Sequence, residues 1–297
     1  MKKEDLNIFD RDTLLHLRLP FSFFLLPVYL FALSQTQHIH VLNAVLVFIS
    51  LHFFIYPGSN IYNSYMDEDK GSIGALKNPP PVTRKLYYAS IFFDTIGLLI
   101  CAFCGIKLVL LMLPYIAVSK IYSWKKIRLK KYAITGWLVV MLFQGAYTFL
   151  LVHISAENLF TWEWVSKKNA EAMLLASLLI GAYYPLTQIY QHKEDSERGD
   201  MTISYKLGIK GTFYFAIVLF VIATLIAAHY FFWYYAFTQF YIFIACLIPV
   251  IGYFFYWLFK VLKNETFADF NHAMRMTFFS SCSLIVCYLL LLYINHH

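Results

Sequence analysis

Two stretches of this chain combine carboxylates, carboxamides and hydroxyls at a spacing suited to binding a divalent cation. They are residues 56–71 (YPGSNIYNSYMDEDKG) and 184–199 (YPLTQIYQHKEDSERG), each at the end of a strongly apolar segment. Superposed, they share Tyr, Pro, Ile, Tyr, Asp and Gly, and they pair Ser59 with Thr187, Asn60 with Gln188, Asn63 with Gln191, Asp69 with Glu197 and Lys70 with Arg198. Such self-similarity marks an internal duplication. On a helix Asn60, Asn63 and Asp67 stand at i, i+3 and i+7 and line one face, and Gln188, Gln191 and Asp195 are expected to do the same. A solvated helix end would explain one such stripe; the second copy favours a functional reading.

Clustered carboxylates and amides are hard oxygen ligands. Mg²⁺ typically takes one or two protein carboxylates and completes its octahedron with water and substrate phosphate. Two such clusters suit two metal-bridged contacts to one diphosphate, whose charge the metals withdraw as its carbon–oxygen bond breaks.

The elements that carry the stripes are membrane spans. Of 297 residues, 60% are hydrophobic, 20% aromatic and only 14% charged, far from the mix of a soluble domain. Apolar runs of about 20 residues, the length that crosses a bilayer core, predict an all-α polytopic membrane protein with nine transmembrane helices. These fall near 20–35, 41–60, 86–104, 107–123, 133–153, 171–190, 212–232, 238–259 and 276–294, with helices two and six equivalent in the duplication. The whole chain, 1–297, reads as one transmembrane domain with an arm at 1–19 and motif loops at 61–85 and 191–211.

Lys and Arg gather on the cytoplasmic side of membrane proteins. Nine spans with the N-terminus inside leave only Lys107, Lys167 and Lys168, out of 24 Lys and Arg, on the outer side. That predicts a cytoplasmic N-terminus, an outer C-terminus and cytoplasmic motifs, in a protein of the bacterial plasma membrane. The net charge of +7 then belongs to one membrane face and implies no nucleic-acid partner. Residues 1–19 are charged, and no small-residue cleavage pattern follows the first apolar run, so they read as an arm rather than a secretory signal. The five cysteines (Cys101, Cys104, Cys246, Cys282, Cys287) lie in apolar spans and read as packing residues.

Several further residues stand out. Arg18 either snorkels or reaches an anion site. Pro57 and Pro185 suggest local bends. The connector after Lys70, with Pro79, Pro80 and Pro81, reads as a lid or a linker. Asp94 sits in mid-span, where a carboxyl is a functional candidate, although a neutral, hydrogen-bonded Asp94 fits equally well. Residues 120–132 (KIYSWKKIRLKKY) are either an ordinary basic anchor or a cationic wall facing the two acidic stripes across a shared chamber. A diphosphate bound at the face of an apolar bundle implies a lipid chain, and the aromatic interior suits an isoprenoid tail.

These residues resemble the UbiA superfamily of intramembrane prenyltransferases, which has nine helices, an Asn-Asp-x-x-Asp-x-x-x-Asp type motif after the second and an Asp-x-x-x-Asp type motif after the sixth. Asn63 and Asp67 match the first motif and Asp195 the last acid of the second. Gly199 and Thr202 to Gly208 resemble the ending of the second motif, and Tyr122, Ser123, Leu129 and Lys130 a Tyr-Ser and Leu-Lys connector. Ser64, Gly71 and Gln191 stand where the family has acids, and Asp69 and Glu197 are candidates to supply the missing carboxylates.

The resemblance implies prenyl transfer from a prenyl diphosphate to a small lipophilic, aromatic or quinone-precursor, acceptor in the bilayer. Mg²⁺ is expected on Asp67, Asp69, Asp195 and Glu197, with Asn63 and Gln191 orienting that shell. Lys130, Arg198, Tyr122 and Ser123 are expected to contact the diphosphate. The rival readings are a transporter using the stripes as a cation path and a catalytically weak prenyl-lipid binder.

Overall fold

A computed structural model describes residues 7–69, 71–160 and 166–297; Lys2, Lys3 and Lys70 lie outside them. Among the described residues there is no β-strand, and nine helical spans are long and apolar enough to cross a membrane. The expected all-α, nine-span architecture is therefore what the chain adopts.

In order, the helices are α1 (Arg11–His16), α2 (Leu19–Gln35), α3 (Val41–Ile49), α4 (Tyr56–Asp67), α5 (Arg84–Phe103), α6 (Ile106–Ser123) and α7 (Ala133–Val140). They continue with α8 (Thr148–Glu157), α9 (Lys167–Tyr183), α10 (His192–Arg198), α11 (Ile203–Tyr234), α12 (Phe237–Lys263) and α13 (Phe270–His296). π-Helical turns at Ser50–Ile55 and Met141–Tyr147 join α3 to α4 and α7 to α8 into continuous spans. The apolar run around Gly105 divides as expected, because Gly105 at φ 110 reverses the chain between α5 and α6. Outward faces are apolar, with Phe103 81% and Trp233 71% exposed, as lipid contact requires.

The chain divides into two compact units. Unit 1 is Met1–Phe23 with Val45–Leu129, and unit 2 is Phe24–Ala44 with Lys130–His297.

In unit 1, α1, α4 and α5 enclose a core of Leu17, Ile61, Leu86, Ala89 and Phe93. Asp10 caps α1 by accepting from the Thr13 N–H at 2.8 Å and pairs with Lys85 at 2.6 Å. That pairing holds its carboxyl down at about 2. The proline-rich connector is anchored: Ile73 is buried, and His16 Nε2 lies 3.0 Å from the Pro80 carbonyl.

In unit 2, the π-turn of Met141–Tyr147 packs on α9. A Cβ on Gly145 would come within 2.5 Å of Ser177 Cα, so only glycine allows this approach. The Ser177 hydroxyl accepts from the Ala146 N–H at 3.0 Å, satisfying a backbone group within the irregular turn.

The two motif prolines act differently. Pro57 lies in the first turn of α4, directly after the π-turn, and the helix runs unbroken to Asp67. Pro185 instead opens a 3₁₀ turn, Tyr184–Thr187, after which the chain leaves helical structure until His192.

Candidate active site

The first motif sits on the last turns of α4, and a helix places Asn60, Asn63 and Asp67 on one face as expected. Each has a partner within unit 1. Asn60 donates to the Leu17 carbonyl at 3.2 Å, and its own carbonyl accepts from Arg18 Nη2 at 3.0 Å. Arg18 is thus buried in unit 1 rather than snorkelling. Ser123, at the end of α6 beside Tyr122, donates its hydroxyl to Asn63 Oδ1 at 2.5 Å. Asp67 is buried, with its Oδ1 3.2 Å from Arg128 Nη1. Arg128 adopts φ 50, and its N–H bonds the Trp124 carbonyl at 2.7 Å. The helix ends at Glu68, in left-handed conformation, and Glu68 pairs with exposed Lys125 at 2.5 Å. Asp69 follows, half-buried.

Below these residues α6 grips α4 again. Lys120 Nζ lies 2.7 Å from Asp94 Oδ2 on α5, 3.2 Å from the Gly58 carbonyl and 4.7 Å over the Tyr62 ring. A Cβ on Gly58 would meet Asp94 Oδ1 at 2.7 Å. Asp94 therefore has a partner that spacing could not reveal, 26 positions away on another helix.

The second motif corrects the expectation of a single helical face. Gln188 lies in the turn after Pro185 and Gln191 just precedes α10, while Asp195 is inside α10, so the three do not share one helix. Gln188 Nε2 donates to the Tyr184 hydroxyl at 3.0 Å, and the Gln191 carbonyl accepts from the Asp195 N–H at 2.9 Å. Asp195 is buried and accepts from the Thr202 hydroxyl at 2.9 Å. Burial pushes its carboxyl up to about 6, with Asp200 adding to the rise; the Thr202 bond and the charges of Lys130 and Arg198 oppose it.

Asp200 is itself buried, and its N–H bonds the Asp195 carbonyl at 2.8 Å. Glu197 is exposed. Two residues along a helix from Asp195, it leaves from the opposite side, so the acid placed near Asp195 is Asp200 and not Glu197. Arg198 reaches Glu194 at 3.6 Å. The Met201 N–H bonds the Lys131 carbonyl at 3.0 Å, fastening the segment after Lys130 beside the second motif.

Each motif thus offers one buried carboxylate, a carboxamide residue four positions before it and a basic residue from the connector, Arg128 in unit 1 and Lys130 in unit 2. Among the described residues no three His, Cys, Asp or Glu side chains gather into a complete protein cage. A cation held by such a set would complete its shell with water and phosphate, a donor chemistry that fits Mg²⁺. Arg128 and Asp200 were not singled out from sequence as site residues; the resemblance drew attention to motif positions, and neither is one.

The sequence profile of the UbiA prenyltransferase family matches residues 22–294. Comparison with curated proteins finds no match. Among solved structures, the chain is similar to a UbiA homolog from Archaeoglobus fulgidus bound to DMAPP and Mg²⁺. That homolog is 19% identical, with 94% of this chain and 99% of the other covered and a TM-score of 0.66. An apo UbiA homolog from Aeropyrum pernix K1 is 16% identical over 90% of this chain and 98% of its own, with a TM-score of 0.62. A digeranylgeranylglyceryl phosphate synthase is 18% identical over 97% and 99%, with a TM-score of 0.57. With a family profile spanning nearly its full length and, among the described residues, nine helical spans long and apolar enough to cross a membrane, the chain is a multi-pass membrane protein belonging to the UbiA prenyltransferase family.

Proposed function

We propose that this protein transfers a prenyl group from a prenyl diphosphate to a small aromatic or quinone-precursor acceptor within the membrane. The single observation that carries this reading is a buried aspartate in each motif, Asp67 and Asp195, at the polar ends of apolar spans in a chain of this family.

Asp67 and Asp195 are assigned as the principal Mg²⁺ ligands, acting in the same turnover, with Asp69 beside the first and Asp200 rather than Glu197 beside the second. Asn63, held by Ser123, and Gln191 orient these carboxylates. Binding of prenyl diphosphates with Mg²⁺ by relatives of the same fold supports the assignment. When bound, the metal draws negative charge from the diphosphate as the bond between oxygen and the allylic carbon breaks.

Arg128 and Lys130, with Arg198 at the end of α10, offer charge-assisted hydrogen bonds to the departing anion. Tyr122, beside Ser123 at the end of α6, is assigned to contact the diphosphate. The apolar spans exclude water that would trap the allylic cation, and aromatic faces stabilise it by roughly 0.5–2 kcal/mol each. The new carbon–carbon bond forms at the acceptor ring, which then releases a proton. The excess of basic residues in the connectors supports a cytoplasmic position for the motifs, and the membrane is assigned as a bacterial plasma membrane.

Prenyl transfer in detergent, with and without Mg²⁺, tests the reading. Wild type is expected to require the metal, and Asp67→Asn and Asp195→Asn to lose transfer; retention of full activity by either variant would overturn the assignment. Mass spectrometry of lipids accumulating in cells that lack the protein identifies the acceptor.

A further inference from the structure

His192 opens α10, and its ring ends a chain of buried hydroxyls. Its Nε2 lies 2.7 Å from the Ser204 hydroxyl, which lies 3.0 Å from the Thr212 hydroxyl. On a straight helix Ser204 and Thr212 would stand about 12 Å apart. They meet because Gly208, at φ 70, breaks α11 between them. Both are fully buried, so each hydroxyl depends on the other groups of this chain for its hydrogen bonds.

The direction of those bonds follows from which groups can donate. Thr212 has one hydroxyl proton and two carbonyls within reach, Gly208 at 2.8 Å and Ser204 at 3.2 Å. A carbonyl only accepts, so that proton is committed. The Thr212 oxygen then accepts from the Ser204 hydroxyl, and the Ser204 oxygen, its own proton in use, accepts from His192. The network thereby assigns the imidazole proton to Nε2 and leaves Nδ1 as a bare lone pair.

Nδ1 makes no hydrogen bond among the described residues, and the side chain is half-buried rather than sealed. Burial holds the basicity of the ring below its ordinary 6.5. The imidazole is therefore neutral at pH 7, with a nitrogen ready to take a proton.

Its position is as well fixed as its tautomer. His192 and Asp195 stand three apart on α10, and such residues are neighbours on a helix surface, with Cβ atoms about 5–6 Å apart. One short stretch of chain holds both: the Thr202 hydroxyl bonds Asp195, and the Ser204 hydroxyl bonds His192. The Tyr205 ring packs edge-on against the imidazole, with centroids 5.7 Å apart. A neutral base thus stands beside the aspartate assigned to the diphosphate end of the donor.

Prenylation of an aromatic ring requires such a group. Attack of the ring on the allylic carbon forms the carbon–carbon bond and leaves a cationic ring, whose C–H proton must depart. We propose that His192 Nδ1 is the general base that takes this proton. The C–H electron pair returns to the ring, His192 becomes imidazolium, and the proton then passes to the departing diphosphate or to water. The proposal rests on the prenyl-transfer reading above and adds the residue that completes the reaction.

His192→Gln separates the base from the tether, because a glutamine Nε2 still donates to Ser204 but the side chain has no basic nitrogen. The test follows diphosphate release and prenyl transfer together, in detergent, with geranyl diphosphate as donor and hydroquinone as acceptor. His192→Gln is expected to keep the thermal midpoint and most of the diphosphate release while transfer falls by about 100-fold or more. Ring-deuterated hydroquinone is expected to slow the variant and not the wild type, because proton removal limits only the variant. Nitrogen NMR of isotope-labelled histidine, with His192→Gln identifying the signal, is expected to show the proton of His192 on Nε2 at pH 7. Undiminished transfer by His192→Gln overturns the proposal, as does a proton found on Nδ1, or a parallel loss of release, transfer and thermal stability that marks a structural role. Wild type that releases diphosphate yet transfers nothing to the ring overturns the prenyl-transfer reading itself, and the base role with it.

Discussion

Lys120 Nζ lies 2.7 Å from Asp94 Oδ2, joining α6 to α5 while bonding the Gly58 carbonyl on α4. Both side chains are largely buried, at 19% and 11% exposure. Removing one member of such a pair strands the other charge in an apolar bundle, which costs about 3–5 kcal/mol, whereas replacing both by apolar groups is often nearly neutral. Lys120→Met and Asp94→Leu are each expected to lower the denaturation midpoint in detergent sharply, and the double variant to recover most of the loss. Additive losses in the double variant would show that the two side chains are not coupled.

The bond from Ser123 to Asn63 has a smaller and more local consequence. A net hydrogen bond contributes about 0.5–1.5 kcal/mol, so Ser123→Ala is expected to reduce kcat/KM for prenyl transfer by roughly two- to tenfold. The loss should fall mainly on the Mg²⁺ concentration needed for half-maximal rate, with little change in thermal stability.

The raised carboxyl of Asp195 makes the second motif sensitive to acid. Its ordinary value is 3.8 and its value in the fold is about 6, so between these pH values the folded chain holds a proton that the unfolded chain has lost. For this group, stability of the metal-free protein therefore rises as pH falls from about 6 towards 3.8. Metal binding runs the other way, because a protonated carboxyl is a poor ligand. The half-saturating Mg²⁺ concentration, measured from pH 5 to 8, is expected to rise steeply below about 6. Asp200→Asn removes a repelling charge and should move that midpoint down; Thr202→Val removes a stabilising bond and should move it up.

If Asp67 and Asp195 serve the same turnover, their loss is not additive. Residues that act as a unit lose nearly all their effect when one is removed. The Asp67→Asn, Asp195→Asn double variant is expected to be no slower than the slower single variant, within about threefold. A multiplicative loss would argue that the two motifs work in separate steps.

The spans were legible because each had only to supply an apolar run long enough to cross a bilayer, a property of local composition that no partner helix alters. The first motif was legible for a related reason: α4 is continuous, so the spacing of Asn60, Asn63 and Asp67 converts directly into one face. The same spacing misled in the second copy. Pro185 begins a 3₁₀ turn there and Gln188 lies outside any helix, so identical offsets yield a different arrangement once the periodicity is broken.

Sequence by itself determined the all-helical membrane architecture, the family and the two aspartates at the motif ends, since these depend on residue type and short-range order along the chain. Only the tertiary structure decided which charges meet. Lys120 finds Asp94, Arg128 finds Asp67, and Asp200 rather than Glu197 comes near Asp195. The physical reason is that such pairings depend on helix packing and on where each helix ends, and a charge buried among apolar spans must take the partner that this packing brings within reach.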